Sequence, residues 1–340
     1  MKKIFIFIAV LILVTGILPA KESRFKINPK VEFSLDDSDV TGDKYYLEYE
    51  LEGELEVKYN FTDRLAAILN VELSRHDVDV EEISVLYDFD EYNRIKGGLF
   101  DSSLVMEDFL KEKYEIFHYD SPGVMYIKEL GYTSNNTGIE YKSRRFLAEK
   151  IGFDAAFFFN PSHNETQFFL TGYYNFEEER NFISLTASYL PYVVHNVALG
   201  GSSEYKYNNF IFDLKYFNDT EHFIYTAEAS IGSNLIDPVG YLHFPGEEDS
   251  WFAAADAGIG YNFQFSKFTY TPALRCGILC PDIKYMDENR RLDLMLGNYF
   301  HGKYIFVHLE GGFRFDTYDK GDGVKTDVDP IWGISFCLRS

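Results

Sequence analysis

Residues 45–61 read YYLEYELEGELEVKYNF, and this stretch decides the fold class. Every second residue from Leu47 to Phe61 is apolar or glycine, whereas the positions between them, from Glu48 to Asn60, carry charged or amide side chains. Side chains of a β-strand point alternately to opposite faces, so a period of two residues is typical of a strand with one apolar and one polar face. The stretch is also long, since strands of about five to six residues are commonest in globular proteins.

The same alternation recurs along the rest of the chain. Boundaries read from such a period are accurate to about three residues. Predicted strands lie near residues 25–35, 45–61, 63–74, 78–89, 93–101, 136–144, 146–159, 165–176, 180–190, 205–217, 221–231, 251–263, 267–276, 290–300, 303–316 and 330–338. The pattern predicts an all-β chain of about 16 strands, within a range of about 14 to 18.

The connections between these strands are alternately short and long. Short turns fall at residues 61–64, 90–93, 143–145, 177–180, 218–220, 264–267 and 301–303. Between them lie loops at 36–44, 75–77, 102–135, 160–164, 191–204, 232–250, 277–289 and 317–329. Turns on one side and longer loops on the other are typical of transmembrane antiparallel β-barrels of the bacterial outer membrane. We predict one such barrel domain over residues 21–340, with both termini in the periplasm.

The composition favours a membrane barrel over other classes of protein. Hydrophobic residues make up 46% of the chain and aromatic residues 18%, with 32 Phe and 26 Tyr. Such values suit a lipid-facing band flanked by aromatic girdles. Beyond residue 20 the sequence contains no run of about a dozen apolar residues, whereas a membrane-spanning helix needs about 20. Strands are therefore the elements predicted to cross the membrane.

The first 20 residues have the composition of a secretory signal peptide. Lys2 and Lys3 form a basic start, residues 4–18 are mostly apolar, and the segment ends at Ala20 after a proline. The apolar run is shorter than the roughly 20 residues that a membrane anchor needs. We predict export through the periplasm and a mature chain that begins near Lys21.

The chain is strongly acidic, with a formal net charge of −22 from 32 basic and 54 acidic residues. Loss of the predicted signal peptide removes Lys2 and Lys3 but no acid, which leaves 30 against 54, or −24. Contacts to phosphate groups need Lys and Arg, so this balance disfavours nucleic acid as a partner. An acidic interior would attract cations and repel small anions.

Three cysteines, Cys276, Cys280 and Cys337, are an odd number for an exported chain. Cys276 and Cys280 could form a disulfide only if the residues between them turn back. An extended strand would hold their Cα atoms too far apart. The sequence leaves both the disulfide and free thiols open.

One face of the predicted strands carries most of the charged side chains. If the more apolar face contacts lipid, the other face lines the barrel interior. The acids assigned to the interior are Glu48, Glu50, Glu52, Glu54, Glu56, Glu72, Glu82, Asp88, Glu140, Asp154, Asp213, Glu228, Asp256, Asp293 and Glu310. The bases are Lys58, Arg94, Lys96, Lys142, Lys150, Lys215, Lys267, Arg275, Arg291 and Arg314. Because acids outnumber bases, a weak cation preference is expected, and a wetted lumen without selectivity is the alternative.

This layout resembles the sixteen-stranded bacterial porins, in which the third external loop folds into the lumen and narrows it. The third long loop, residues 102–135, is the longest in this chain. The segment RIKGGLFDSSLVMEDF, residues 94–109, is also similar to the strand end before that loop in phosphate-selective porins. The resemblance implies a passive channel for small hydrophilic solutes and ions. It does not extend to phosphate selectivity, because no ladder of Lys and Arg lines the predicted pore.

The resemblance also implies partners. A porin-like barrel contacts outer-membrane lipid and lipopolysaccharide, and trimers are usual among such proteins. The closing strand IWGISFCLRS, residues 331–340, places Trp332, Ile334, Phe336 and Leu338 on one face, as strands recognised by the barrel-assembly machinery do. Its terminal aromatic is displaced by four residues from the usual position.

The long loop offers candidate residues for a constriction. Within MEDFLKEKYEIF, residues 106–117, the apolar positions predict one face of a short helix. The acids of its polar side are Glu107, Asp108, Glu112 and Glu115. We expect this loop inside the barrel, where about sixteen strands enclose a lumen wider than side chains can fill. Its acids would face Arg94 and Lys96 on the wall, whereas an external cap is the alternative.

The last predicted loop contains Asp316, Asp319 and Asp322, with two further aspartates before residue 330. Hard oxygen ligands at this density can bind calcium, although the spacing is not that of an EF-hand. A solvated hairpin with an Asp-Gly turn explains the same residues. These carboxylates are weak metal candidates, and no cofactor is expected.

The motifs of common enzyme classes are absent from the sequence. It has no Gly-x-Ser-x-Gly, metal-spaced histidine pair or phosphate-binding loop. Loop histidines such as His76, His163 and His195 could serve a barrel protease or phospholipase, but nothing fixes their geometry. We expect no enzyme. A second hypothesis is a surface barrel with a plugged pore, in which loops 191–204 and 232–250 bind a host or partner molecule.

Overall fold

The computed structural model describes residues 24–38, 46–74, 78–101, 110, 114, 116–117, 119–130, 135–147, 150–160, 165–177, 180–196, 203–233, 251–319 and 323–339. The predicted signal peptide, residues 1–20, lies outside the described residues. So do the four acids of the long loop, Glu107, Asp108, Glu112 and Glu115.

Long antiparallel strands make up most of the described chain. They are β1 (Phe25–Ser38), β2 (Tyr46–Asn60), β3 (Leu65–Leu73), β4 (Val78–Asp88), β5 (Asn93–Asp101), β6 (Asn135–Leu147), β7 (Ile151–Asn160), β8 (Glu165–Glu177), β9 (Asn181–Asn196), β10 (Ser203–Asp219), β11 (Phe223–Ser233), β12 (Trp251–Tyr261), β13 (Phe263–Gln264), β14 (Phe268–Cys280), β15 (Arg290–Gly302), β16 (Ile305–Asp319) and β17 (Val324–Arg339). The two residues of β13 continue β12 along β14, so sixteen of these strands are long.

The sheet closes into a barrel. Each long strand pairs with the next one along the chain, and β1 pairs on one edge with β2 and on the other with β17. Val31 of β1, for example, lies opposite Gly53 of β2 and Leu338 of β17. Closure removes the free sheet edges that would otherwise expose unpaired backbone groups to lipid. The predicted all-β antiparallel barrel of sixteen strands is confirmed.

The last strand begins earlier than the sequence pattern predicted. β17 starts at Val324 instead of residue 330, and Val324 pairs with Asp319 of β16. Most of the predicted loop 317–329 is therefore part of a hairpin. Val324 and Val328 lie exposed on the same face of β17. Thr326 between them, together with Gly323, Asp327 and Asp329, obscured this period in the sequence.

The two faces of the strands differ sharply in chemistry. On β10, Phe210, Phe212 and Leu214 are exposed, whereas the alternate residues Ile211 and Asp213 are buried. We refer to the side with exposed Phe, Leu, Ile and Tyr as the apolar face, and to the side with charged and hydroxyl residues as the polar face. An exposed apolar band around a closed barrel is the surface that lipid solvates. The two lysines assigned to the interior at positions 150 and 267 instead lie exposed in short turns.

Short turns are stabilised by their own side chains. At the turn between β4 and β5, the Asp90 carboxylate accepts hydrogen bonds from the Tyr92 and Asn93 backbone N–H groups, each at 2.8 Å. It also accepts from the Asn93 side-chain amide. The amide of Asn93, together with these backbone donors, lowers the pKa of Asp90. Such local bonds explain why Asp and Asn are favoured in turns.

The long connection between β5 and β6 contains the helix α1 (Pro122–Glu129). Ser121 caps it by accepting the Val124 N–H, and Pro122 occupies the first turn, where no backbone donor is needed. α1 packs against β12, β14 and β15. Among the described helices, none is long and apolar enough to span a membrane.

Candidate functional site

The described part of residues 110–130, here called the loop segment, packs on the polar face of the barrel wall. Near the short-turn ends of the strands, Leu110, Ile116 and Phe117 form a buried cluster with Phe217 and Tyr299. The Tyr114 hydroxyl donates to the Asp219 carboxylate at 3.1 Å, one residue before the turn that joins β10 to β11. The first half of the loop segment therefore reaches deep along the wall.

The second half of the loop segment packs near the opposite ends of the strands. Its buried apolar side chains are Val124, Tyr126, Ile127 and Leu130. They cluster with Leu190, Ile211, Phe252 and Leu279, which belong to β9, β10, β12 and β14. The loop segment thus runs along much of the height of β9 to β15, and the apolar clusters at both ends stabilise it there.

Between the two clusters, wall residues clamp the backbone of Tyr119. The Tyr119 N–H donates to Glu310 Oε2 at 2.7 Å, and its C=O accepts a hydrogen bond from the Arg275 guanidinium. The Tyr299 hydroxyl accepts the Phe117 N–H at 2.9 Å and donates to the other Glu310 oxygen. Residues of β14, β15 and β16 and of the loop segment thus form one hydrogen-bonded network, in which each charged group has a partner.

A second charged contact supports the same stretch. Arg314 donates from Nε and Nη2 to the two Asp293 carboxylate oxygens, at 3.0 and 2.8 Å. Its guanidinium carbon lies 5.8 Å from the centre of the Tyr119 ring, within range of a cation–π interaction. Nη2 also lies 3.8 Å from the Met125 sulfur. The loop segment therefore covers this bidentate ion pair.

The exposure of charged side chains divides the wall into two halves. In ion pairs of β1 and β4 to β7, such as Lys96–Glu82 and Arg94–Asp88, side chains are 16–41% exposed. In the pairs Lys215–Asp213, Arg275–Asp256 and Arg314–Asp293 they are 1–11% exposed. The pair Arg291–Asp316, which lies near the long-loop ends of β15 and β16, is an exception, with side chains 16% and 26% exposed. We call β1 to β8 the open half and β9 to β16 the covered half. Solvent reaches the polar face along the open half.

On the open half, acids lie opposite acids. The strand register places Glu32 of β1 opposite Glu52 of β2, and Glu54 of β2 opposite Glu72 of β3. We call these facing glutamates of β1, β2 and β3 the acid ladder. Two side-chain amides contact it: Asn70 donates a hydrogen bond to Glu54 at 2.8 Å, and Asn28 donates one to Glu56. Like charges on directly opposite positions repel. A surface with this arrangement attracts counter-cations.

Arg94 and Lys96, the two wall cations predicted to face the long loop, have partners on the neighbouring strand β4. Arg94 Nε donates to Asp88 Oδ1 at 2.6 Å, and Lys96 Nζ lies 2.9 Å from Glu82 Oε1 and 4.5 Å above the Phe100 ring. Their predicted pairing with Glu107, Asp108, Glu112 or Glu115 stays a prediction, because those acids lie outside the described residues. Glu52, Glu54 and Glu56 are on the polar face of β2, and for Glu48 and Glu50 the backbone alone is described.

The predicted calcium candidates do not come together in the described part of the chain. Asp316 accepts two hydrogen bonds from Arg291, at 2.6 and 3.0 Å, and Asp319 ends β16. Asp322 lies outside the described residues. Among the described residues no group of three or more His, Cys, Asp or Glu is placed to hold a metal ion. Cys276, Cys280 and Cys337 are free thiols, and the first two lie in the extended strand β14.

Two glycines on the covered half make room for the loop segment, and sequence reasoning did not single them out. A Cβ added at Gly258 would lie 2.7 Å from the Phe117 ring, and one at Gly277 would lie 3.1 Å from Ser121 and Pro122. Glycine inside a strand often marks a close approach of other chain atoms. Glycines at strand positions 258 and 277 could therefore have indicated a close approach from the sequence, although not which segment of the chain approaches. Residues 197–202 and 234–250, which belong to the predicted partner-binding loops, lie outside the described residues.

Comparison with solved structures identifies the fold. A trimer form of OmpT, an outer membrane protein of Vibrio cholerae, superposes with a TM-score of 0.64 at 12% identity, covering 93% of this chain and 99% of that one. OmpF of Salmonella typhi in complex with daunomycin gives 0.62 at 13% identity, with 93% and 97% covered. An anion-selective porin from Comamonas acidovorans gives 0.62 at 11% identity, with 93% and 98% covered. This chain has the fold of an outer-membrane porin.

Among the comparisons with known proteins, only the structural one finds the porin fold. No protein-family model and no curated protein matches the sequence. At identities of 11–13% the shared feature is the barrel architecture. The activity of this chain must therefore be inferred from the charged groups on the two halves of its own wall.

Proposed function

We propose that this protein is a passive channel of the bacterial outer membrane for small hydrophilic solutes and ions. The single observation that carries the proposal is the division of the polar face. The charged side chains of the described ion pairs on the open half keep contact with solvent, whereas those of Lys215–Asp213, Arg275–Asp256 and Arg314–Asp293 on the covered half are buried. A water-filled pathway bounded by the open half on one side and the loop segment on the other accounts for the exposed charges of the open half and for the buried pairs of the covered half. Porin-like barrels of this width hold such pathways.

In this proposal the loop segment lies in the lumen and narrows it. Support comes from its contacts with the polar face at three levels: the Tyr114–Asp219 bond, the clamp on Tyr119, and the apolar cluster around Tyr126. The polar face is the interior one, because the opposite face carries the exposed apolar band suited to lipid. A pore narrowed along one side has a smaller conductance than an open sixteen-stranded barrel.

We further propose a weak preference for cations. Where the strand register assigns described side chains to the polar face of the open half, the acids are Glu32, Glu52, Glu54, Glu56, Glu72, Asp79, Glu82, Asp88, Glu140 and Asp154. The bases on the same surface are Lys26, Lys30, Lys58, Arg94, Lys96 and Lys142. Acids exceed bases, so the local potential favours cations. Screening at physiological salt, with a Debye length of about 8 Å, keeps the preference modest.

Planar-bilayer recording of the purified, refolded protein tests the channel. We expect ohmic single-channel currents and a reversal potential displaced toward the cation Nernst potential in a salt gradient. A correctly folded barrel without conductance would overturn the proposal and favour the plugged, partner-binding alternative. Reversal at zero potential in the gradient would leave the channel but overturn the cation preference.

A homotrimer is also proposed. It is supported by the trimer form of the Vibrio cholerae protein with the same fold. The apolar face offers a continuous surface both for neighbouring subunits and for membrane lipid. Native mass measurement in detergent tests the assembly, and a monomer that conducts fully would show that the channel does not depend on it.

A further inference from the structure

We propose that His308 of β16 is a proton-operated switch that weakens the channel's preference for cations in mild acid. This inference rests on the proposed cation-preferring channel and adds a regulatory group to it. His308 lies on the polar face of β16, between the clamp on Tyr119 and the acid ladder. A proton on its ring changes the charge at the place where these two features meet.

The imidazole of His308 is held inside the wall by other rings. The residue is 1% exposed, and its ring centre lies 5.7 Å from that of Tyr299 and 5.8 Å from that of His301. Aromatic rings at such separations are in packing contact. His301 is half-buried and lies one residue from the end of β15, so the pair is near the short-turn end of the barrel.

Carboxylates lie on two sides of His308. On its own strand, Glu310 is two positions further along and on the same face, about 7 Å away along the strand. On the other side, Ser335 of β17 lies directly opposite His308 and donates a hydrogen bond to Glu32 of β1. Glu32 is within electrostatic range of the His308 ring. A buried charge needs a counter-charge beside it, and a protonated His308 has these two carboxylates.

The other titratable groups around His308 come from β1, β14, β15 and β17. They are Lys30, whose Nζ lies 3.0 Å from Glu32, Arg275, which binds the Tyr119 C=O, Tyr299 and His301, and Cys337, which lies opposite Glu32. From the loop segment, Phe117 donates its N–H to the Tyr299 hydroxyl, and the neighbouring residue 118 lies outside the described residues. Of all these side-chain types, imidazole is the one that ordinarily changes charge between pH 5 and 8.

Glu32 connects the buried histidine to the solvent pathway. Its side chain is 16% exposed, and the strand register places it opposite Glu52 in the acid ladder. As the pH falls, a proton on His308 puts a positive charge beside this ladder and offsets part of the potential that attracts cations. Lower pH therefore weakens the cation preference, and higher pH restores it. A unit charge about 10 Å from a passing ion, screened by about 0.1 M salt, changes the cation-to-anion permeability ratio by about two-fold.

Planar-bilayer recording of the refolded full-length protein in a potassium chloride gradient tests the switch. We expect the permeability ratio of the wild type to fall by about two-fold between about pH 7.5 and about pH 5.5. His308→Gln cannot take up the proton and should lose most of this fall. The matched control is His222→Gln, because that histidine is exposed in the turn between β10 and β11 and its loss should leave the fall intact. A wild-type ratio that ignores pH, or an equal fall in His308→Gln, would overturn the switch.

Nuclear magnetic resonance of the protein labelled with ¹⁵N-histidine, in detergent, gives a readout that does not depend on current. The imidazole signal that is missing from His308→Gln should titrate in the wild type over the same pH range. A signal that stays neutral throughout that range would contradict the proposal. If His308→Gln does not fold, His308→Asn replaces it in both measurements. A barrel without current at any pH would overturn the proposed channel, whereas a conducting barrel with a pH-independent ratio would overturn the switch alone.

Discussion

The backbone N–H of Tyr119 and the Glu310 carboxylate are joined by a hydrogen bond of 2.7 Å across 191 positions of sequence. The bond connects the middle of the loop segment to β16, while Arg275 of β14 binds the C=O of the same residue. A buried backbone group needs a partner when it leaves water, and charged partners make such bonds stronger. This pair therefore determines where the loop segment crosses the wall.

The first prediction concerns the clamp itself. Glu310→Leu removes both acceptors and leaves the Tyr119 N–H and the Tyr299 hydroxyl without their buried partner, at a cost of about 1–3 kcal/mol for each group. We expect a more mobile loop segment, larger and noisier single-channel currents, and faster protease cleavage within residues 102–134. Glu310→Gln is the control, because its amide oxygen can still accept one of these bonds. Currents and cleavage equal to wild type in the leucine variant would show that the clamp does not hold the loop segment.

A second prediction uses the close approach at Gly258. Gly258→Ala places a methyl group 2.7 Å from both the Phe117 ring and Thr226 Oγ1, closer than van der Waals contact allows. We expect a loss of about 1–3 kcal/mol in unfolding free energy, typical of overpacking, together with displacement of Phe117. Gly172→Ala is a matched strand control, because an added Cβ there has no neighbour within 4 Å among the described residues. Denaturant titration compares the two, and an unchanged midpoint for Gly258→Ala would mean that the contact relaxes without cost.

These contacts show where sequence reasoning works for this chain and where it stops. The period-two pattern of residues 45–61 predicts β2 (Tyr46–Asn60) closely, because strand side chains must alternate between lipid and interior. The alternation of turns and loops likewise predicted sixteen strands. At β17 the pattern failed because aspartates and glycine interrupt a hairpin whose pairing depends on β16.

The candidate site was predictable only in part. The polar face of β2 and the positions of Arg94 and Lys96 follow from local alternation. The clamp on Tyr119 does not, because it depends on which wall a long loop packs against, and residues 119 and 310 share no local pattern. Sequence reasoning looked to β5 for partners of the loop, whereas the described loop segment packs on β9 to β16. Gly258, a glycine inside a strand, was a sequence feature that indicated a close approach on this side of the wall.

A third prediction compares two Arg–Asp pairs that differ in burial. In Arg314–Asp293 the side chains are 11% and 1% exposed, and in Arg94–Asp88 they are 41% and 34% exposed. Asp293→Asn should reduce the unfolding free energy by about 3–5 kcal/mol, because it leaves a buried guanidinium without its counter-charge. Asp88→Asn should cost about 0–1 kcal/mol, since water replaces the lost partner. Equal losses in urea titrations of the refolded barrels would contradict the division into covered and open halves.

A fourth prediction tests the acid ladder of the open half. Glu54→Gln combined with Glu72→Gln removes two opposing carboxylates, so the reversal potential in a salt gradient should move toward the anion side. Folding should be preserved, because the substitution also relieves repulsion between like charges. Glu221→Gln, an exposed acid in the turn between β10 and β11, should leave selectivity unchanged. If the control shifts the potential as much as the double variant, then overall net charge, and not the ladder, determines selectivity.

The last prediction concerns the four acids of the long loop that lie outside the described residues. In the sequence Glu107 and Asp108 precede the packed residue Leu110, and Glu112 and Glu115 lie between Leu110 and Ile116. We expect the four acids to face the remaining pathway of a loop that fills the lumen. Changing the four to Gln and Asn should move the reversal potential toward anions, because a charge at the narrowest point acts on every passing ion. Solvent-exposed ion pairs contribute about 0–1 kcal/mol each, so folding should survive. The shift should also weaken at high salt as the charges are screened. Wild-type selectivity and conductance in this variant at low salt would place these acids outside the pore.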